Sequence, residues 1–425
     1  MTAESVIPRP QPPRAYRWLV LIWISLAMFG NYYIYDAISP LADVLVRQLR
    51  FTDSDIGLLQ GIYSVPNIFM VLIGGFIIDR LGTKKSTFIF ALLCLIGAVI
   101  TAASATLFFM AAGRLVFGLG AESLIVAVTT AIAKWFKGKE LSFAFGINLT
   151  IARLGSFAAL NSPSWAAKYY EHWQGPLLIS IVFGIVCVVG AIVYWILESA
   201  GDRKYQIGEA VETDKVAIGD LLKFGKSYWY IVALCITFYS GIFPFQTFAV
   251  KFFIEAHGTS REMGGFLSSM LTLFAMVATP LFGLMADKIG KRALFMMFGS
   301  LLLAPVYLLM AYTPIALYVP MAMMGIAFSL IPGIMWPSVS YLVDQSKLGT
   351  AYGLMTLIQN IGLAGFNFLI GWANDYAGAS ASNPGGYVLG MWIFSSLGII
   401  GFFFAYLLRR NETGPNAHGL ETIKA

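Results

Sequence analysis

Apolar stretches of about 20 residues recur along this chain between short polar breaks. Each is long enough to cross a hydrocarbon layer of roughly 30 Å as a helix. Twelve are legible, near 17–38, 56–78, 86–104, 107–133, 141–165, 175–197, 227–254, 262–286, 293–312, 315–343, 348–373 and 387–408. The pattern predicts an all-α membrane protein. Residues 1–16 are Pro-rich and read as a disordered lead. The longest hydrophilic connection, 198–226, falls between the sixth and seventh stretches, and its part from Val216 to Phe224 suits a short interfacial helix. It divides an amino-terminal six-helix unit (17–197) from a carboxyl-terminal one (227–408), with 409–425 as a tail.

The two units repeat. IIDRLG at 77–82 corresponds to MADKIG at 285–290, Phe117-Gly118 to Met324-Gly325, and Ala144-Phe145-Gly146 to Ala351-Tyr352-Gly353. The offset is 207 or 208 each time. A constant offset across six spans indicates a duplicated bundle, and such proteins hold substrate at the repeat interface near the midplane.

Composition agrees. The 425 residues are 58% hydrophobic and 12% charged, against about 25% charged for a soluble domain. With the amino terminus inside, 21 of the 28 Lys and Arg fall on inner loops and tails. Five fall outside: Arg47, Arg50, Lys168, Lys251 and Arg261. The bias puts both termini on the cytoplasmic side. Cys94, Cys187 and Cys235 all lie mid-span with no metal-ligand spacing, so neither a disulfide framework nor a metal or other cofactor is expected. Gly219 to Ser227 superficially resembles a phosphate loop but is one residue too long and lacks a nucleotide domain around it, which argues against an ATP-driven pump. Nothing calls for an enzyme or for nucleic acid.

Two motifs stand at repeat spacing. Gly75-Phe-Ile-Ile-Asp79-Arg80-Leu-Gly82-Thr-Lys84-Lys85 and Gly283-Leu-Met-Ala-Asp287-Lys-Ile-Gly290-Lys291-Arg292 share the pattern G-x3-D-x2-G-x-[KR]-[KR]. It resembles the inner-loop signature of the major facilitator superfamily. Each Asp suits the positive end of a helix in the opposite half: Asp79 at the start of span eleven near Gly349, and Asp287 at the start of span five near Leu141. Such latches close the inside and favour an outward-facing state, with Arg80, Lys84, Lys291 and Arg292 as partners or headgroup contacts.

Charges inside spans carry the chemistry, since each costs about 2.5–3.5 kcal/mol to insert. Arg114, in Gly113-Arg114-x3-Gly118-x-Gly120, is open to a structural role on backbone carbonyls or a functional one near Asp36. Glu122 lies about 22 Å down span four and Arg153 about 18 Å up span five, so both reach the midplane. They form either a standing salt bridge or a pair that opens onto a zwitterion, Glu122 taking an ammonium and Arg153 a carboxylate. Asn31, Asn67, Tyr239 and Asn360 lie at similar depth, Tyr63 nearer the outside, and Trp336, between Pro332 and Pro337, nearer the inside. Asp36, at the outer end of span one, is a candidate for the gate.

Closer sequence agreement appears in GRLVFGLGAESL (113–124), KWFKGKELSFAFG (134–146), ARLGS (152–156), YSVPN (63–67), MWP (335–337), LGTAYGLM (348–355) and IQNIGLA (358–364). These resemble the lysosomal dipeptide uniporter family of animals, within the major facilitator superfamily. The resemblance implies two pseudo-symmetric six-helix bundles and downhill transport of dipeptides. It also implies that Glu122 and Arg153 meet the peptide termini, with Trp336 and Asn360 in matching motifs. The long acidic sorting tail of the animal family is missing, so a lysosomal address and an accessory subunit are not supported; a monomer in the cell membrane of a bacterial relative is expected. The span-one ExxER-type motif of proton-coupled peptide symporters is absent from 17–38. Two rival readings remain at this point: a proton-coupled carrier of organic anions on the same fold, and a non-transporting receptor or scaffold.

Overall fold

The computed structural model describes residues 10–136, 139–207, 224–344, 347–415 and 417–422. The start of the lead and the expected interfacial helix, save Phe224, lie outside the described residues. Fourteen α-helices run in chain order among those described. In the amino half they are α1 (Arg14–Asp36), α2 (Ala42–Leu49), α3 (Asp53–Gly61), α4 (Ser64–Ala103), α5 (Leu107–Phe136), α6 (Leu141–Leu160), α7 (Ser162–Trp165) and α8 (Gln174–Lys204). In the carboxyl half they are α9 (Lys226–His257), α10 (Arg261–Ile289), α11 (Arg292–Tyr312), α12 (Tyr318–Leu342), α13 (Leu348–Tyr376) and α14 (Val388–Glu412).

Eleven segments of the described residues are long and apolar enough to cross a membrane. The twelfth span is hidden in α3 and α4. Pro66 has no N–H to give the Ile62 carbonyl, so that carbonyl takes the Val65 N–H instead at 3.1 Å, and the helix is interrupted there. Further on, α4 is not one rod. Gly82 sits at φ 77°, ψ 166°, a conformation essentially reserved for glycine, and the chain reverses. Tyr63, Met70 and Gly74 meet Gly118 and Ser123 of α5 in ascending order, whereas Phe90, Gly97 and Thr101 meet Gly120, Phe117 and Gly113 in descending order. The segments before and after Gly82 are therefore antiparallel spans two and three. The remaining spans follow the expected places with longer ends: α8 continues to Lys204 and α14 to Glu412, whereas span five stops at Leu160 and α7 begins anew at Ser162-Pro163.

The repeat extends to backbone detail. Gly290, 208 positions after Gly82, also has a positive φ, 74°. Thr52 caps α3 by accepting from Asp55 N at 3.2 Å, and Ser260, again 208 positions on, caps α10 by accepting from Met263 N at 3.2 Å. Gly118 lies under the Tyr63 carbonyl and Pro66, and Gly325 under the Phe274 ring, so both admit a close helix crossing.

Helix α1 packs on α6 and α8, and α4 on α5 and α8, to make the amino bundle. Helix α14 packs on α9 and α11, α12 on α10 and α11, and α13 on α9, to make the carboxyl bundle. The bundles meet where α13 crosses α3 and α4 and where α10 crosses α6. The face carrying the two signature loops is the one that the charge bias assigns to the inside. On the opposite, outer face the hydrophobic core is continuous across the bundles: Ile38, Leu41, Val44, Leu45, Ile56 and Leu59 join the core of the carboxyl bundle.

Candidate functional site

Between the bundles lies a cavity of about 370 Å³. Its amino-half wall comes from α1, α5, α6 and Tyr63 between α3 and α4, and its carboxyl-half wall from α9, α10, α12 and α13. Glu122 and Arg153 both face it. Among the described residues no ion pair joins them. The Arg153 guanidinium instead lies 5.5 Å from the Tyr32 ring centre and 5.3 Å from that of Phe328, so it is held between a ring of each bundle. Cation–π contacts hold a guanidinium in place without using its in-plane N–H groups, which stay available for a carboxylate. A carboxyl group and a guanidinium that no salt bridge joins thus share one space.

Of the other residues singled out from the sequence, Asn31, Asp36, Tyr63, Tyr239, Trp336 and Asn360 also line this cavity. Trp336 donates its indole N–H to the Tyr239 hydroxyl at 2.9 Å, and Tyr239 stacks on Phe243 at 5.6 Å, which fixes an aromatic wall in the carboxyl half. Asn31 donates to the Ala121 carbonyl at 3.3 Å. Asn67 stands behind the wall, fully buried, and donates to Asn360 Oδ1 at 3.4 Å across the bundle interface. The repeat equivalent of Glu122, Ser329, is turned into its own helix, donating to the Gly325 carbonyl at 2.8 Å. Further lining residues were not singled out from the sequence, among them Tyr32, Phe117, Ser156, Phe243, Gln246, Phe328 and Gln359. Their polar or aromatic character is plain in the chain, but which helix face meets the partner bundle is not.

Arg114 lies elsewhere. It is 1% exposed and donates from Nε to the Leu59 carbonyl (3.2 Å), from Nη1 to the Ile34 carbonyl (3.1 Å) and from Nη2 to Gln60 Oε1 (3.0 Å). Those carbonyls belong to the last turns of α1 and α3, which helix geometry leaves without partners. Of the two roles left open by the sequence, the geometry matches the structural one: Arg114 ties α5 to the ends of α1 and α3.

The outer end of the cavity is roofed. Lys251, 2% exposed within α9 rather than in a solvated loop, pairs with Asp53 of the amino half at 2.9 Å and with Glu255 at 3.2 Å. Asn374 also donates to Asp53 at 3.0 Å. Asp375 of α13 accepts from the backbone N–H groups of Asp53 and Ser54 at 2.8 Å each, so an α13 carboxylate caps the positive end of α3. Arg261 donates to Asp43 at 2.7 Å. Backbones also touch: a methyl on Gly57 would fall 2.2 Å from the Asn367 carbonyl oxygen, and one on Gly265 would fall 2.3 Å from that of Leu160. Toward the inner face the same helices part, and a methyl on Gly146 of α6 would meet nothing within 4 Å. The chain is closed outside and spread inside.

The inner signature residues fit that spread. Asp287 pairs with Arg292 of its own loop at 2.8 Å, and the Arg292 guanidinium lies 4.7 Å from the Tyr341 ring. Lys84 pairs with Asp202 at 2.9 Å. Lys291 takes the left-handed conformation at the start of α11, its N–H donating to the Glu421 carbonyl. Asp79 and Arg80 are exposed at the end of span two.

Comparison with known proteins now decides the family. The family model described as Major Facilitator Superfamily matches residues 24–365 and 232–424. The chain belongs to the major facilitator superfamily. It is 32% identical over 379 residues to the lysosomal dipeptide transporter MFSD1 of Danio rerio, covering 85% of this chain and 82% of that protein. It is 31% identical over 377 residues to MFSD1 of Homo sapiens, covering 86% and 81%. A crystal structure of a bacterial homologue of the human lysosomal transporter Spinster superposes with a TM-score of 0.74 at 17% identity, over 94% of this chain and 98% of that one, which supports the two-bundle fold. The chain is thus a multi-pass membrane transporter of this superfamily and not an enzyme.

Proposed function

We propose that this transporter carries dipeptides, or zwitterions of similar size, down their gradient by alternating access, as a monomer. The observation that carries the reading is the shared cavity: Glu122 and Arg153 face it from α5 and α6 without pairing with each other. A free dipeptide brings an ammonium and a carboxylate and satisfies both at once. A peptide with blocked ends leaves both buried charges without partners, which is how a polar site rejects the wrong ligand. The cavity wall holds two carboxylates, Asp36 and Glu122, against one guanidinium, Arg153, which disfavours a plain organic anion as substrate. A roofed outer end and a spread inner end suit one state of a rocking cycle, the opposite state needing the Asp79 and Asp287 latches. The excess of Lys and Arg on the loop face supports a cell-membrane orientation with both termini cytoplasmic.

Uptake of a labelled dipeptide into proteoliposomes, with and without an inward proton gradient, tests the reading. Equilibrating uptake without a gradient, abolished when both termini are blocked, is expected. Accumulation only with the gradient makes the protein a symporter and moves Glu122 to proton carrier. Binding without flux makes it a receptor.

A further inference from the structure

A second space opens off the central cavity on its inner side. It measures about 300 Å³ and lies between α6, α10 and α12. Arg153, Phe328 and Trp336 line both spaces and form the partition between them. Beyond the partition the walls are Leu149, Ala275, Met276, Thr279, Pro280 and Pro332, and Arg153 carries the one charge among the lining residues. Two glycines keep the space open. Gly146 leaves α6 without a side chain there, and a side chain on Gly333 would crowd Thr279 at 3.1 Å. Glu122 lines the central cavity and not this chamber.

We infer that the chamber receives the side chain of the carboxyl-terminal residue of the transported peptide and selects apolar side chains there. The inference rests on the reading of Arg153 as the carboxylate anchor. In a peptide, the carbon bonded to the terminal carboxylate also bears that residue's side chain. A carboxylate held by the Arg153 guanidinium therefore puts its own side chain beside the Phe328–Trp336 partition, at the chamber mouth. A cationic side chain entering this space finds no carboxylate in the lining and meets Arg153 instead, and an anionic one competes with the peptide's own carboxylate for that single guanidinium. An aliphatic or aromatic one exchanges water for Leu149, Met276 and proline surfaces.

Isomeric dipeptides isolate the effect because they share composition, charge and overall hydrophobicity. The test is inhibition of labelled Ala-Ala uptake by Gly-Gly, Leu-Gly, Gly-Leu and Gly-Asp in proteoliposomes of the full chain and of Gly146→Leu. A hydrophobic pocket gains about tenfold or more for an added methylene, so Gly-Leu is expected to inhibit at least tenfold more tightly than Leu-Gly or Gly-Asp. Gly146→Leu is expected to weaken Gly-Leu about tenfold and leave Gly-Gly unchanged. The substitution replaces a poor helix former, its Cβ meets nothing within 4 Å, and Ala275→Leu fills the chamber from the opposite wall if Gly146→Leu does not reconstitute. Equal inhibition by Gly-Leu and Leu-Gly overturns the inference. So does loss of all dipeptides alike in the filled variants, which instead marks the space as the seam that closes, or as a gap holding lipid. Absence of any dipeptide uptake by the unmodified chain overturns the anchor reading itself, and the chamber's role with it.

Discussion

Replacing Lys251 by Met should open this transporter to the outside. Lys251 Nζ lies 2.9 Å from an Asp53 oxygen and 3.2 Å from Glu255, and both lysine and aspartate side chains are 3–4% exposed. The pair joins α9 to the start of α3, so it exists only while the outer ends of the bundles touch. Two unit charges at this distance attract by about 6 kcal/mol at an effective dielectric constant of 20. Much of that is offset by desolvation, and the measured cost of removing one partner from a buried pair is about 3–5 kcal/mol. Met keeps the volume but leaves Asp53 and Glu255 buried with no cation between them. When the outer ends separate, both carboxylates reach water and the loss disappears. The substitution therefore destabilises the outward-closed state alone. At about 1.4 kcal/mol per tenfold, even the lower figure moves the equilibrium roughly a hundredfold toward outward-open. Spin labels at Lys168→Cys and Ala316→Cys report the outer opening, because both positions are exposed and the natural cysteines are buried. A longer outer distance is expected in Lys251→Met. Adding Asp53→Asn to Lys251→Met removes the more buried of the two unmatched carboxylates, leaves Glu255, and is expected to return part of the population to the closed distance. An unchanged distance distribution in Lys251→Met would refute the role assigned to the pair.

Other substitutions separate chemistry from scaffold. Arg153→Ala and Glu122→Gln are each expected to abolish dipeptide uptake with thermal stability close to that of the parent, and full uptake by either removes that residue from the mechanism. Arg114→Met leaves buried carbonyls at two helix ends without donors, at about 1–3 kcal/mol each; a marked drop in melting temperature in detergent is expected, whereas normal stability with altered substrate choice would make Arg114 a ligand. Asp79→Asn is expected to weaken the inner latch and lengthen the time spent inward-open, opposite in sign to Lys251→Met; equal inner distances by the same spin-label method would remove the latch.

How much of this was legible in the chain depends on whether the signal is local. Span length and hydropathy follow from the bilayer as solvent, so the membrane class, the order of the spans and the duplication could be read directly. Gly82 and Gly290 were legible as a pair from the motif they share, and both take a positive φ, which glycine adopts without strain. The depth of Glu122 and Arg153 followed from helical rise alone. Azimuth did not. Arg114 and Arg153 are both arginines inside apolar helices, yet one is spent on helix-end carbonyls and the other faces the cavity. That difference depends on which neighbour each helix face meets. Lys251 was counted as an outer-loop charge, but it is buried, because its partner Asp53 lies 198 residues away and only packing of the two bundles brings them together. Asn67 and Asn360 are joined in the same way over 293 residues. By itself the sequence determined the solvent each segment requires, the repeat, and the similar helical depth of Glu122 and Arg153. The tertiary structure decided which charges are paired and which face the central cavity, because the pairing groups come from distant helices whose facing is set by packing.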